Sequence, residues 1–207
     1  EYPPLRRAAQ QRHLFCLLGG TLANLDHEPR FFRYSLRGEP GDLLLALPSS
    51  GLHSNGYSLA RKVIESLGLA LSDSPKELNG ESVQAAMLRP TRLYAVQVQL
   101  LLSQGVDVRA MCHVTGGGIG GNLPRVLPDG MGARIGADWP RPAIYSLLAR
   151  AVDETEMRTT FNIGVGYIFV IPPSASELAI GCLEAMGEKP MVIGEIIAVD
   201  PNVPFEQ

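Results

Sequence analysis

The stretch GDLLLALPSSGLHSNGYSLARKVIE (residues 41–65) sets the architecture of the chain. Leu43 to Leu47 is an uninterrupted apolar run of strand length, stopped by Pro48 and a Ser49-Ser50-Gly51 turn. From Tyr57 the spacing becomes helical. Leu59, Val63, Ile64 and Leu67 fall on one stripe, which predicts a helix over 57–67. A strand therefore feeds a helix through the loop SSGLHSNG (49–56), rich in glycine and short polar side chains.

Downstream, residues 70–88 are polar and read as a surface loop. Pro90 and Thr91 begin a second predicted helix that runs to about Ser103 and closes at Gly105. Val106 to Val114 reads as a strand with partial alternation, leading into Thr115-Gly116-Gly117-Gly118. A short helix or turn at 122–127, a strand at 132–135 and helices at 142–151 and 154–160 follow. Val165 to Ile171 is an apolar strand ended by Pro172-Pro173. Ser174 is placed to cap a helix to about Met186, with Glu177 at the capping-box position, and 191–199 is the last strand. Upstream, 5–18 reads as a short helix or strand ending at Gly19-Gly20, and 21–40 as irregular. Helices and strands alternate irregularly, with too few strands for a barrel. The expected fold is α+β, a sheet with helices packed on its faces.

At 207 residues, 45% of them apolar, the chain can bury one full domain, or one domain and a fragment of another. A net charge of −3 without like-charge runs argues against nucleic-acid or anionic-membrane partners. No apolar stretch is long enough to span a bilayer, and no apolar segment follows the charged N-terminus as in a signal peptide. A cytoplasmic setting is expected. Cys16, Cys112 and Cys182 are far apart and odd in number, so reduced, buried thiols are expected and no zinc site of ordinary spacing. No metal-ligand cluster is expected elsewhere. The first residue is Glu1 rather than Met, which fits a processed, trimmed or partial chain.

Three glycine-rich segments carry the chemistry: SSGLHSNG (49–56), TGGG (115–118) and TFNIGVG (160–166), each at a strand–loop boundary. Glycine lets backbone approach a ligand closely, and backbone N–H groups near a helix start favour an anion. His53, Ser54, Asn55, Thr115 and Asn162 add short hydrogen-bonding groups. The set suits a polar, phosphorylated small molecule. The spacing is neither that of a Walker loop nor of a dinucleotide fingerprint. Arg125 can pair with a phosphate or, equally, with Asp129. His113 adjoins the second loop, His13 and His27 have no assignable role, and Trp139 is expected to pack.

Taken in order, these segments resemble aminoimidazole ribonucleotide synthetase, also called phosphoribosylformylglycinamidine cyclo-ligase. The resemblance rests on 41–65, RPTRLYA (89–95), HVTGGGIGGNLPRVLPDGMGA (113–133), TFNIGVGYIFVI (160–171) and VIGEI (192–196). It implies the layered C-terminal domain of that family, with a mixed sheet and partly ferredoxin-like topology. It implies domain limits of 1–40 for the end of a mostly missing N-terminal ATP-binding domain, 41–200 for the C-terminal domain and 201–207 for a tail. The activity implied is ATP- and Mg²⁺-dependent ring closure of formylglycinamidine ribonucleotide, in which the amide oxygen is phosphorylated and a nitrogen then displaces phosphate. His53 and Asn162 are the expected catalytic residues. Ser50, Gly51, Ser54, Asn55, Gly56, Thr115, Gly116, Gly117, Gly118, Asn122, Arg125, Thr160, Gly164 and Gly166 are expected to bind substrate and phosphate.

Three departures qualify the resemblance. The family's glycine- and aspartate-rich ATP and metal segments have no counterpart, and only LLGG (17–20) is similar to the family's GGETAEMP. The stretch between Gly20 and Gly41 is short. Gly121 stands where the family has Glu, and Thr159 breaks its YRTFN run. The expectation is a half-enzyme that needs an N-terminal ATP-binding domain, fused or in trans, with a homodimer possible. The alternative is a non-catalytic module that binds a phosphorylated ligand or a partner. A third option, the amidotransferase-linked synthetase one step earlier, is disfavoured by PTRLY and NLPRVLP.

Overall fold

The computed structural model describes residues 37–136 and 138–199. The expected elements over 5–18, the irregular 21–40 stretch up to residue 36, and the tail lie outside the described residues.

Five strands form one sheet: β1 (Leu43–Pro48), β2 (Ala110–His113), β3 (Met131–Ile135), β4 (Val165–Ile171) and β5 (Met191–Ala198). Their order is β2-β4-β1-β5-β3. β1 is central because its side chains are apolar in both directions. Leu44 and Ala46 join one core, while Leu45 and Leu47 join the other. β4 behaves alike, with Ile168 and Val170 on one face and Phe169 and Ile171 on the other.

The helices are α1 (Tyr57–Ser66), α2 (Val83–Met87), α3 (Ala95–Ser103), α4 (Gly118–Asn122), α5 (Ala143–Leu148), α6 (Glu154–Thr160) and α7 (Ser176–Ala185). α3 and α7 cover one face through Val98, Leu101, Ala179 and Leu183. α1, α2, α5 and α6 cover the other through Val63, Ile64, Val83, Met87, Tyr145, Leu148 and Met157. The α+β, layered expectation holds. The path β1-α3-β2-β4-α7-β5, with the order β2-β4-β1-β5, is a ferredoxin-like unit. β3 is added at its edge.

The sheet is antiparallel in every pairing, which corrects the expectation of a mixed sheet. β1 and β2 do run the same way, but β4 is inserted between them and pairs with both. The polar 70–88 stretch is also not all loop. Ser82 Oγ accepts from Ala85 N–H at 3.2 Å and starts α2, whose Val83, Ala86 and Met87 are buried. Pro90 and Thr91 do not begin a helix, since α3 starts at Ala95 and residues 89–94 form an irregular strap. β2 is shorter than expected, and α5 likewise. The Ser174 capping box is absent too. A 3₁₀ turn at Pro173–Ala175 precedes α7, and Ser176 Oγ donates to Pro173 O at 2.7 Å.

Candidate functional site

β1 ends at Pro48 with a register shift against β4, and the chain enters the first glycine loop there. His53 and Ser54 both adopt left-handed backbone, at φ 52° and 58°. Non-glycine residues seldom sit there. Of the four such residues described, a third, Ile163 at φ 40°, lies in the 160–166 loop. The strain is therefore concentrated in two of the three glycine segments.

The three segments meet at one end of the sheet. Gly56 has φ 69°, and a Cβ there would lie 2.2 Å from the Phe161 ring, so the first loop rests directly on the third. Asn55 Oδ1 lies 3.3 Å from where a Cβ of Gly116 would sit, which joins the first loop to the second. Gly118 packs against the backbone of Arg158 and Phe161, and Gly117 caps α4. Val114 N–H donates to Gly166 O at 3.0 Å.

Asn162 clamps this assembly and is fully buried. Its Oδ1 accepts from Ser49 Oγ at 2.7 Å, Tyr145 OH at 2.9 Å and Gly164 N–H at 2.9 Å. Its Nδ2 donates to Gly51 O at 2.9 Å. Asn162 thereby ties the first and third loops to each other and to α5. Asn122 does the same for the second loop, accepting from Thr115 Oγ1 at 2.9 Å and donating to Gly116 O and Gly118 O at 3.1 and 2.7 Å. The Thr160 hydroxyl donates to Glu156 within its own helix at 2.8 Å. Arg125 is exposed and forms no ion pair among the described residues, Asp129 included.

His53 is buried as well, and its Nε2 accepts from Ser50 N–H at 3.0 Å and, at a weaker 3.4 Å, from Arg92 N–H. Accepting at Nε2 puts the proton on Nδ1, which is buried without a partner. Burial, then the neighbouring His113 and Arg92, push the His53 pKa down to about 4. The ring is neutral at neutral pH. His113, its pKa also lowered by burial, has an unpaired buried Nε2, and the two rings lie 6.4 Å apart. Tyr94 and Tyr167 complete this aromatic group, and Gly166 makes room for it: a Cβ there would meet Tyr94 OH at 1.9 Å.

Ser54, Asn55 and Gly56 keep exposed surface, as does Gly116. Ser54 Oγ lies 3.3 Å from Thr91 Oγ1, and Ser50 Oγ donates to Pro90 O at 2.7 Å. Thr91, Arg92, Tyr94 and Tyr145 belong to this region and were not singled out from sequence. The RPTRLY motif carried the first three, but a helix start hid their part. The result is an open polar surface rather than a pocket. A concavity beside Ser50 and Arg89 has about 170 Å³ including open solvent. Among the described residues no three His, Cys, Asp or Glu side chains are grouped to hold a metal ion. Burial pushes the Cys112 thiol up to about 12, so it is no nucleophile at neutral pH. No helix among the described residues is long and apolar enough to cross a membrane.

The three glycine loops thus meet at one end of a ferredoxin-like α+β sheet. Residues 39–204 match the family described as AIR synthase related protein, C-terminal domain. The chain belongs to that family. It is 48% identical over 172 residues to the phosphoribosylformylglycinamidine cyclo-ligase of Sorangium cellulosum (strain So ce56), covering 81% of this chain and 49% of that one. It is 42% identical to the enzyme of that name from Symbiobacterium thermophilum, covering 80% and 48%. With the one from Synechococcus sp. (strain RCC307) it shares 40% identity, covering 87% and 59%. These relatives bear out the resemblance to the cyclo-ligase. The chain spans about half the length of the first two relatives.

Proposed function

We propose that this chain supplies the C-terminal half of a phosphoribosylformylglycinamidine cyclo-ligase, its glycine-loop surface forming one wall of the substrate site. One observation carries the reading. Strained loops converge on an open surface whose exposed groups are short hydroxyls and amides, next to strictly buried clamps. Such a surface suits the phosphate and amide groups of formylglycinamidine ribonucleotide, and needs a second wall to exclude water. ATP phosphorylates the amide oxygen and leaves ADP; a ring-forming nitrogen then attacks the same carbon and phosphate departs. His53, neutral and held at Nε2, sets the course of the first loop rather than donating a proton at that atom. The residues described supply no metal ligand set, so in this reading Mg²⁺ and most of the ATP contacts come from an N-terminal domain, fused or in trans. Domain limits near 1–40, 41–200 and 201–207, a homodimer and a cytoplasmic setting belong to the same proposal.

The test is calorimetric titration with formylglycinamidine ribonucleotide, then ring closure after adding the first half of the Sorangium relative. Binding alone, with turnover on addition, is the expected result. No binding and no turnover from a folded chain overturns the proposal. The second reading, a partner-binding module, is favoured by Leu88, Leu93 and Val96, which are 64%, 83% and 62% exposed.

A further inference from the structure

Glu188 lies outside every motif quoted above, on the turn that follows α7. Gly187 turns the chain there at φ 79°, and Glu188 N–H donates to Leu183 O at 3.1 Å. The side chain is only 6% exposed. Its Oε1 accepts from Arg92 Nη2 and, at 2.6 Å, from Gln97 Nε2. A buried carboxylate with one cationic partner is costly to leave unpaired, so the pair is held firmly at both ends. Glu188 thus anchors Arg92 from the far side of the strap.

Arg92 passes that hold to the first loop. Its Nη1 donates to Pro48 O at 3.4 Å, and its guanidinium lies 5.4 Å from the Tyr94 ring centroid. Tyr94 OH also donates to Pro48 O, at 2.9 Å. Residues 89–94 have no helix or strand of their own, so side-chain ties decide where they run. Those ties set Pro90 O against Ser50 and Thr91 against Ser54.

We infer that Glu188 is a positioning residue: through Arg92 it holds the 89–94 strap against the 49–56 loop, so that Thr91 and Ser54 face a ligand together. The inference rests on reading that surface as ligand-facing.

The test uses Glu188→Gln and the double variant Arg92→Gln/Glu188→Gln in the full chain. Calorimetric affinity for formylglycinamidine ribonucleotide is measured, with amide hydrogen exchange at Ser50 and thermal melting. Glu188→Gln leaves a cation without its partner and lowers the melting temperature. Removing both charges restores much of it. A positioning role predicts affinity about tenfold weaker in both variants, because the strap is no longer held in its competent place. Affinity within about twofold of wild type in Glu188→Gln, or affinity that recovers together with the melting temperature in the double variant, overturns the inference. A wild-type chain that does not bind the ribonucleotide overturns the functional reading instead. Ser50 exchange then decides the latch alone: about tenfold faster in Glu188→Gln supports it, and unchanged exchange overturns it.

Discussion

Asn162 and His53 are both buried at the loop end of the sheet, yet both polar atoms of one have a partner while one ring nitrogen of the other has none. Each polar atom of Asn162 has a partner, drawn from the first loop, α5 and its own loop. His53 has its Nε2 occupied and its Nδ1 bare, and the nearby His113 Nε2 is bare too. A buried amide bonded at both its oxygen and its nitrogen is rigid scaffold. A cluster of unpaired buried polar atoms is what a structure built for packing alone avoids. The end of the sheet thus divides into a clamp that fixes the loops and an aromatic, histidine-bearing group they enclose.

Breaking the clamp has the largest expected effect. Asn162→Ala leaves the Ser49 and Tyr145 hydroxyls, the Gly164 N–H and the Gly51 carbonyl without this partner in a buried site. The expected loss is about 4 kcal/mol, read from urea unfolding. A loss below about 1 kcal/mol removes the distinction between clamp and cluster. Gly166→Ala attacks the other side. The new methyl would meet Tyr94 OH at 1.9 Å and His53 Cε1 at 2.9 Å, so Tyr94 must leave Pro48 O. About 3 kcal/mol is expected, with changed near-ultraviolet dichroism from the tyrosines as the specific sign.

Much of this fold was legible in the sequence, because its central strands are apolar runs between breakers. β4 and α6 have the bounds expected of them, and β1 and α1 differ by one residue. What was not legible depends on contacts distant in sequence. The strap at 89–94 looks like a helix start until Ser50, Pro48 and Glu188 are seen to hold it in place. Glu188 stands in an unremarkable turn, and only its meeting with Arg92 gives it a part. Strand direction was missed for a related reason: insertion of β4 between β1 and β2 is a property of the whole topology. The full burial of Asn162 was not legible either, since a loop asparagine looks the same in sequence whether it faces solvent or the core.

Acid sharpens the comparison without mutation. His53 has its pKa lowered from 6.5 to about 4, so between those values the unfolded chain binds a proton that the folded chain refuses. Stability is therefore fully present above about pH 6.5 and falls as pH drops toward 4. The loss on going from pH 7.5 to 4.5 is about 2.5 kcal/mol from this residue. His113, shifted the same way, adds to it. His53→Gln keeps a polar group but does not titrate, so its unfolding midpoint should vary less over that window. An unchanged pH dependence in His53→Gln contradicts the neutral, loop-holding histidine.

Ser54→Ala has the smallest expected effect on stability and the most specific one on binding. Ser54 is exposed, and its hydroxyl faces only Thr91 Oγ1 at 3.3 Å. Removing it costs less than about 0.5 kcal/mol, within the range of ordinary surface changes. A hydroxyl that meets the charged phosphate of a ligand contributes more than it does to the fold, and its loss weakens binding about tenfold. The ratio of the two effects is the informative quantity. In Asn162→Ala, stability falls first and affinity follows only as the loops loosen. In Ser54→Ala, affinity falls while the urea midpoint stays in place. Should both variants lose stability and affinity in the same proportion, the loop end is one cooperative unit and the surface has no residue dedicated to a ligand.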